Sequence, residues 1–374
     1  MSMKVEPFLV EKWLNEYEHD IGINISETCV DPFTLGEFLI LVGLEDFFQE
    51  FKDIQLTYGY IPGSPELRQG LANLYHGFEG KNILVTGGAI GANFLVFYSL
   101  VEPGDTVISV HPTYQQLYSV AESFGANVKL LKLRMRDGWL PNLGELADLV
   151  DARTKLIVIN NPNNPTGSLI DEKALKVICE IAEDIGAYVL DDESYRWLYV
   201  DPDDSVPSVV ELSDRAIATG SFSKTFSLTG LRLGWIAARS SIIEEIEDRR
   251  DYTTISNGMI DDALASIAVN NMDLILKRNS DIVRRNYRIL SDWVETEPLI
   301  DWAPARAGTV GFLKHGLDIS SEELCKRLMR EKDVLLVPGT CFDMDGFLRI
   351  GFGNNTEVLN EGLSRFKEFL NDLR

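Results

Sequence analysis

The chain is poor in metal-binding and disulfide-forming residues. Its 374 residues include four cysteines and four histidines. Cys29, Cys179, Cys325 and Cys341 form no C-x-x-C pair and read as reduced thiols. His19, His76, His111 and His315 form no H-x-x-x-H or mixed spacing, so no metal site is expected. Positive charge is also the minority. Lysine and arginine number 35 against 58 aspartates and glutamates, for a net charge of −23. Such a surface repels phosphate backbones and anionic lipid, so neither nucleic acid nor membrane is an expected partner. No apolar run approaches a bilayer-spanning length. The opening "MSMKVEPFLVEKW" has no apolar signal-peptide region, and a cytoplasmic location is the expectation. Internal repeats and low-complexity tracts are lacking.

What is present is an ordinary globular composition, 45% hydrophobic and 25% charged. From about residue 80, short runs of Val, Ile and Leu recur: "NILVTG", "DTVISV", "NVKLLKL", "KLIVIN", "AYVLDD", "AIATG" and "GWIAA". Most lack strict alternation, as expected of strands buried on both faces of a mainly parallel sheet. Helical stripes lie between several of them. Leu175, Ile178, Ala182 and Ile185 form one. Leu67, Leu71, Leu74 and Phe78 form another, with Ser64 as N-cap and Pro65 at the first helical position. The alternation predicts an α/β domain over roughly 50–260. Beyond about residue 240 the text turns helical and charged. The strand candidates "TVGFLKH", "VLLVPG" and "FLRIGFG" follow, with a closing helix from about Thr356: a smaller α+β module.

Four segments carry chemistry. "GSFSKTFSLTGLRLGW" (220–235) places Lys224 directly after an apolar strand and Arg232 eight residues later. The phosphate-binding G-x-x-x-x-G-K-[ST] loop is not met, because positions 218 and 223 are Ala218 and Ser223. A lysine at the edge of a buried sheet, beside another cation, is expected to have a lowered pKa and can condense with an aldehyde. "VINNPNNPTG" (158–167) reads as a turn after a strand. "LDDESYRWL" (190–198) puts two adjacent acids at a strand end. "VTGGAIGANFLVFYSLV" (85–101) puts a Gly-Gly turn before an apolar helix, offering free N–H groups to an anion. It is not G-x-G-x-x-G.

Together these segments resemble the fold type I pyridoxal-phosphate-dependent aminotransferases, the aspartate-aminotransferase-like class I/II family. The patterns S-x-S-K-x-x-x-x-x-G-x-R-x-G, N-P-x-N-P-T-G, D-E-x-Y and Y-x-x-x-x-G-x-x-x-L-R occur in the family's order, and the likeness extends from Tyr58 to Arg349. The resemblance implies a large cofactor-binding α/β domain over 49–262 with a central, mainly parallel seven-stranded sheet. It also implies a small α+β domain built from both chain ends, 1–48 and 263–374. Lys224 would carry pyridoxal 5'-phosphate as an internal aldimine and act as general base. Asp192 would pair with the pyridine nitrogen, while Tyr195 and Asn164 would bond the phenolic oxygen. Gly88, Ala89 and Ile90 at the helix start would hold the phosphate, with Ser221, Ser223 and Arg232 completing the cup. Tyr114 would stack on the ring, or else be an ordinary half-buried tyrosine. Tyr58 would reach the neighbouring subunit's phosphate in a homodimer. Thr254 and Ser256 are further candidates for that contact. Arg349 would clamp the substrate α-carboxylate, with Asn164 beside it. His111 would pack at a strand–loop junction outside the chemistry. The implied reaction moves an amino group from an L-amino acid to a 2-oxo acid.

One segment departs from the family pattern. Many members carry L-x-x-G-x-P early in the chain; here "INISETCVDPFTLGEF" (23–38) lacks that glycine and has Glu27, Thr28 and Cys29 in its neighbourhood. It resembles the capreomycidine synthase branch, in which the same cofactor site cyclises a hydroxylated arginine. A lyase or cyclase therefore stands as the alternative reaction. A non-enzymatic effector-binding module is a third possibility, disfavoured by the acidic surface and the lack of a DNA-binding segment. Arg249, Arg250 and Arg306 are available for recognising a substrate side chain.

Overall fold

A computed structural model describes residues 5–373. Residues 1–4 and 374, the outermost positions of the two segments assigned to the small domain, lie outside the described residues. Seven strands build the central sheet: β1 (Ile83–Thr86), β2 (Thr106–His111), β3 (Asn127–Lys132), β4 (Thr154–Asn160), β5 (Tyr188–Asp192), β6 (Ala216–Ser221) and β7 (Gly234–Ala238). Their order is β1-β7-β6-β5-β4-β2-β3. All neighbours run parallel except β7, which is antiparallel to both β1 and β6. The non-alternating apolar runs are explained by burial: every residue of β1, β2, β6 and β7 is buried. Helices cover the faces, and the fold is the mainly parallel α/β class expected.

The strand order positions the chemistry. β4, β5 and β6 lie side by side, so their carboxyl ends bring Asn160, Asp192 and Ser221 to one edge of the sheet. That edge, where loops leave parallel strands, is where open α/β sheets bind ligands.

The helical stripes are shorter than expected. Ser64 caps Pro65–Ala72 by accepting from the Leu67 N–H, but this helix stops before Leu74 and Phe78. Glu172–Asp184 ends before Ile185, which is 37% exposed. "VLLVPG" also divides. Val334–Leu335 pairs in parallel with Ile23–Asn24, whereas Val337–Pro338 joins an antiparallel sheet in the order Val337–Pro338, Phe347–Gly351, Val310–His315, Ile300–Trp302. Pairing of Ile23–Asn24 with Val334–Leu335 ties the two chain ends together. The closing helix runs Thr356–Asp372.

Candidate active site

At the carboxyl edge of the sheet a cavity of about 310 Å³ opens. Each of its walls comes from a different part of the chain. Helix α1 (Leu9–Tyr17) contributes Val10, Glu11 and Leu14. Helix α2 (Gly88–Leu100) contributes its first turn, Gly88, Ala89 and Ile90, and then Asn93. The ends of β4, β5 and β6 bring Asn160, Asn164, Asp192, Tyr195, Ser221, Ser223 and Lys224. Tyr114, Arg232, Thr28 and Arg349 close the rim.

The first turn of α2 has backbone N–H groups without intrahelical acceptors, at the positive end of the helix dipole. It can sit this close to the sheet only because position 234 is glycine. A Cβ there would lie 2.4 Å from the Gly88 carbonyl carbon and 2.5 Å from the Ala89 nitrogen. Arg232 stands over the same turn: its Nη2 would be 3.5 Å from a Cβ at Gly88. The guanidinium donates to the Thr229 carbonyl at 3.1 Å, and among the described residues no carboxylate pairs with it. Ser221 Oγ accepts the Ser223 N–H at 2.9 Å. N–H groups, hydroxyls and an arginine without an acid make a receptor for a dianionic phosphate.

Asp192 stands on the floor of the cavity. Its Oδ2 accepts from Asn93 Nδ2 at 2.8 Å and its Oδ1 from the Ser194 N–H at 3.0 Å. Asn93 is held in turn by Thr219, whose hydroxyl donates to Asn93 Oδ1 at 2.7 Å. The carboxylate is thus fixed in orientation. The adjacent Asp191 points the other way and accepts the Asn161 N–H at 2.9 Å. Burial, with Glu193 and Asp192 close by, raises its pKa well above the usual carboxylate range.

Lys224 is where the structure departs most from expectation. Its Nζ donates to Thr28 Oγ1 at 2.5 Å and lies 3.2 Å from Cys29 Sγ. Burial pulls the ammonium down, but Cys29, Tyr195 and Glu27 outweigh it, so the pKa is raised rather than lowered. Desolvation and Arg232 alone would lower it; a segment nearly 200 residues away, with no local signal in the sequence, brings an acid to the amine. The Cys29 thiol and the Tyr195 phenol are themselves pushed up by burial and are neutral at pH 7. Glu27 is the remaining anion. Burial would raise its carboxyl, but the Lys224 charge and the Cys29 and Thr28 N–H groups hold it below the usual range.

Arg349 comes from the small antiparallel sheet and is 1% exposed. Its Nη1 donates to Asn164 Oδ1 at 3.3 Å and its Nη2 to the Ser26 carbonyl at 3.2 Å, while Nε has no partner among the described residues. A buried guanidinium without a carboxylate is costly unless a ligand supplies one. Burial accordingly lowers its pKa.

Tyr114 packs its ring on Phe8, centroids 4.8 Å apart, and donates its hydroxyl to Glu11 at 2.8 Å. Tyr58 is not brought to this cavity and is 78% exposed. His111 ends β2 and lies 3.4 Å from Asp343. Sequence reasoning missed α1, Asn93 and the contact of Thr28 with Lys224. An asparagine in an otherwise apolar helix was the one readable signal for Asn93.

The donor set fits pyridoxal phosphate: an amine for the aldehyde, an oriented carboxylate for the ring nitrogen and an unpaired cationic cradle for the phosphate. Known proteins agree. A sequence model of the aminotransferase class I and II family matches residues 46–366. The chain belongs to that family. Pyridoxal 5'-phosphate is its cofactor. Capreomycidine synthase of Streptomyces vinaceus is 30% identical over 365 residues, 96% of this chain and 93% of that protein. An aspartate aminotransferase of Pyrococcus horikoshii is 30% identical over 324 residues, 82% of this chain and 81% of that one. Among solved structures, a PLP-dependent aminotransferase from Streptococcus suis superposes with a TM-score of 0.96 at 42% identity, covering 99% of each chain. The PLP-dependent cyclase OrfR superposes with a TM-score of 0.91 at 26% identity, covering 99% of this chain and 98% of that one. This family member is therefore similar to enzymes with two kinds of named activity.

Proposed function

We propose that this enzyme moves the amino group of an L-α-amino acid to a 2-oxo acid, with the cofactor carried on Lys224. The observation that carries the reading is Arg349, a buried guanidinium without an acid that faces the same cavity as the Lys224 amine. It binds the α-carboxylate and, with Asn164, orients the substrate so that its Cα lies near Lys224. Asp192, fixed by Asn93 and Ser194, would keep the ring nitrogen protonated, and Tyr195 and Asn164 would bond the phenolic oxygen. Gly88, Ala89, Ile90, Ser221, Ser223 and Arg232 would hold the phosphate. When bound, the cofactor supplies an electron-withdrawing ring that takes up the electron pair left when a bond at Cα breaks. Lys224 would serve as the general base that removes the Cα proton. Tyr114 would stack on the cofactor ring. The enzyme works as a homodimer, divided as 49–262 and 1–48 with 263–374, and the exposed Tyr58 completes the neighbouring subunit's phosphate site.

The test is a half-reaction. Single L-amino acids are added anaerobically to cofactor-loaded enzyme without an oxo acid, and the products are separated. Transamination requires stoichiometric pyridoxamine phosphate and oxo acid. A second reading, a lyase or cyclase on the same site, is supported by Thr28 and Cys29 at the lysine, with Glu27 beside them, and by similarity to capreomycidine synthase and the cyclase OrfR. Release of ammonia, or a cyclised product with the cofactor unchanged, decides for it.

A further inference from the structure

Five charged side chains line the cavity: Glu11, Asp192, Lys224, Arg232 and Arg349. The proposed reaction employs all but the first. Asp192 serves the ring nitrogen, Lys224 the aldehyde, Arg232 the phosphate and Arg349 the substrate α-carboxylate. Glu11 is left facing the cavity with no task. Its carboxylate is half-buried, and its Oε1 accepts the Tyr114 hydroxyl at 2.8 Å. Its Oε2 accepts no hydrogen bond, and among the described residues no lysine, arginine or histidine pairs with it. A carboxylate with one oxygen fixed and the other open is a receptor for a donor.

The helix that carries Glu11 is tied down on both flanks. The Leu9 N–H donates to Gln115 Oε1 at 2.8 Å, and Gln115 Nε2 donates back to the Pro7 carbonyl at 2.9 Å. On the other side Trp13 Nε1 donates to the Leu336 carbonyl at 2.9 Å. Val10 and Leu14, four positions apart and so on one face of α1, line the cavity beside Glu11. Two apolar side chains with a carboxylate between them suit an aliphatic stem that ends in a cation. The lining has no matching receptor for a second carboxylate. Arg249, Arg250 and Arg306 are not part of it: Arg250 donates to the Ile61 and Ile255 carbonyls, and Arg306 pairs with Asp204 at 2.5 Å.

We propose that Glu11 sets the substrate class by selecting an α-amino acid whose side chain ends in an amine or a guanidinium. This rests on the reading that Arg349 takes the α-carboxylate. The open Oε2 accepts from the side-chain N–H, and the aliphatic stem lies against Val10 and Leu14. An acidic side chain is disfavoured, because its carboxylate meets Glu11 and finds no free cation. No hydrogen bond or ion pair joins Glu11 to Arg349, so both ends of the receptor stay open to one ligand.

The test is binding without turnover. Calorimetry of the cofactor-loaded enzyme compares ω-guanidino alkanoates, unsubstituted alkanoates and α,ω-dicarboxylates, each over a matched series of chain lengths. None carries an amine, and a guanidinium keeps its proton, so none condenses with the cofactor aldehyde. The best guanidino acid should bind about tenfold tighter than the alkanoate of its length. In Glu11→Gln, which can still accept from Tyr114, that advantage should vanish and the dicarboxylate should gain, while the alkanoate binds as before. A guanidino acid no tighter than its alkanoate, or a dicarboxylate that binds the parent best, overturns the proposal, and neither result needs the variant to fold. An advantage that survives Glu11→Gln overturns it too. Arg349→Lys separates the two failures. Weaker binding of all three ligands there, with no effect of Glu11→Gln, refutes the role of Glu11 alone. Binding indifferent to Arg349→Lys refutes the α-carboxylate assignment, and the proposal with it.

Discussion

Gly234→Ala tests whether the phosphate cradle depends on a single close approach. The added Cβ would meet the Gly88 carbonyl carbon at 2.4 Å, the Ala89 nitrogen at 2.5 Å and the Gly220 carbonyl oxygen at 2.5 Å. All three are backbone atoms, so no rotamer relieves the clash. Ordinary contact between carbon atoms begins at about 3.5 Å, and the first turn of α2 must withdraw from β7 by about 1 Å. A withdrawal of that size removes a charge-assisted N–H bond to the phosphate, a loss of about 1.5–3 kcal/mol. The dissociation constant for the cofactor should rise about 10- to 150-fold. Overpacking should cost a further ~1–3 kcal/mol of folding stability. Gly91→Ala is the matched control. It lies in the same helix with nothing within 4 Å of its added Cβ, and it should stabilise the fold by about 0.5–1 kcal/mol. The assay is cofactor titration of the stripped proteins together with thermal unfolding. Parent-like affinity and Tm for Gly234→Ala would refute the argument that this glycine sets the cradle.

Three further outcomes follow from the site. Arg349→Lys loses the planar fork, and KM for the α-amino acid should rise about 10- to 100-fold while kcat changes less; steady-state kinetics check the split. Asn93→Ala leaves Asp192 Oδ2 and the Thr219 hydroxyl without their partner in a buried site, at a cost of about 1–3 kcal/mol, and cofactor titration should show weaker binding. Asp191 binds its proton more tightly folded than unfolded, so its contribution to stability falls as pH rises from the ordinary carboxylate value through its raised folded value. Asp191→Asn should remove that slope. Urea unfolding over a pH series upward from about pH 4 should show the variant gaining on the parent as pH rises, and parallel curves throughout would contradict the assignment.

The parts of the site readable in sequence are those made of contiguous residues. Gly88 to Ile90, Asp192 with Tyr195, and Ser221 to Arg232 each follow a buried strand, and an apolar run ending in small or acidic residues shows where the chain leaves the sheet. Strand positions were legible for the same reason: burial on both faces leaves uninterrupted Val and Ile. The helix ends after Ala72 and Asp184 were not legible, because Leu74, Phe78 and Ile185 continue the apolar spacing past the last turn. Split pairing in "VLLVPG" escaped for a different cause. Two sheets share one apolar run, and only the arrival of Ile23–Asn24 alongside Val334–Leu335 separates them. The environment of Lys224 was also beyond sequence. Its pKa depends on Glu27, Cys29 and Tyr195, and the contact with residues 27–29 is made by tertiary packing with no local signal in either segment. Glu11 and Tyr114 meet in the same way, 103 positions apart.

Reduction of the cofactor-loaded enzyme with borohydride, followed by proteolysis and mass spectrometry, tests the central claim most directly. One pyridoxyl group per chain on the peptide containing Lys224, and none in Lys224→Ala, is the expected result. A group on any other lysine, or a loaded enzyme that takes up no label, would contradict it.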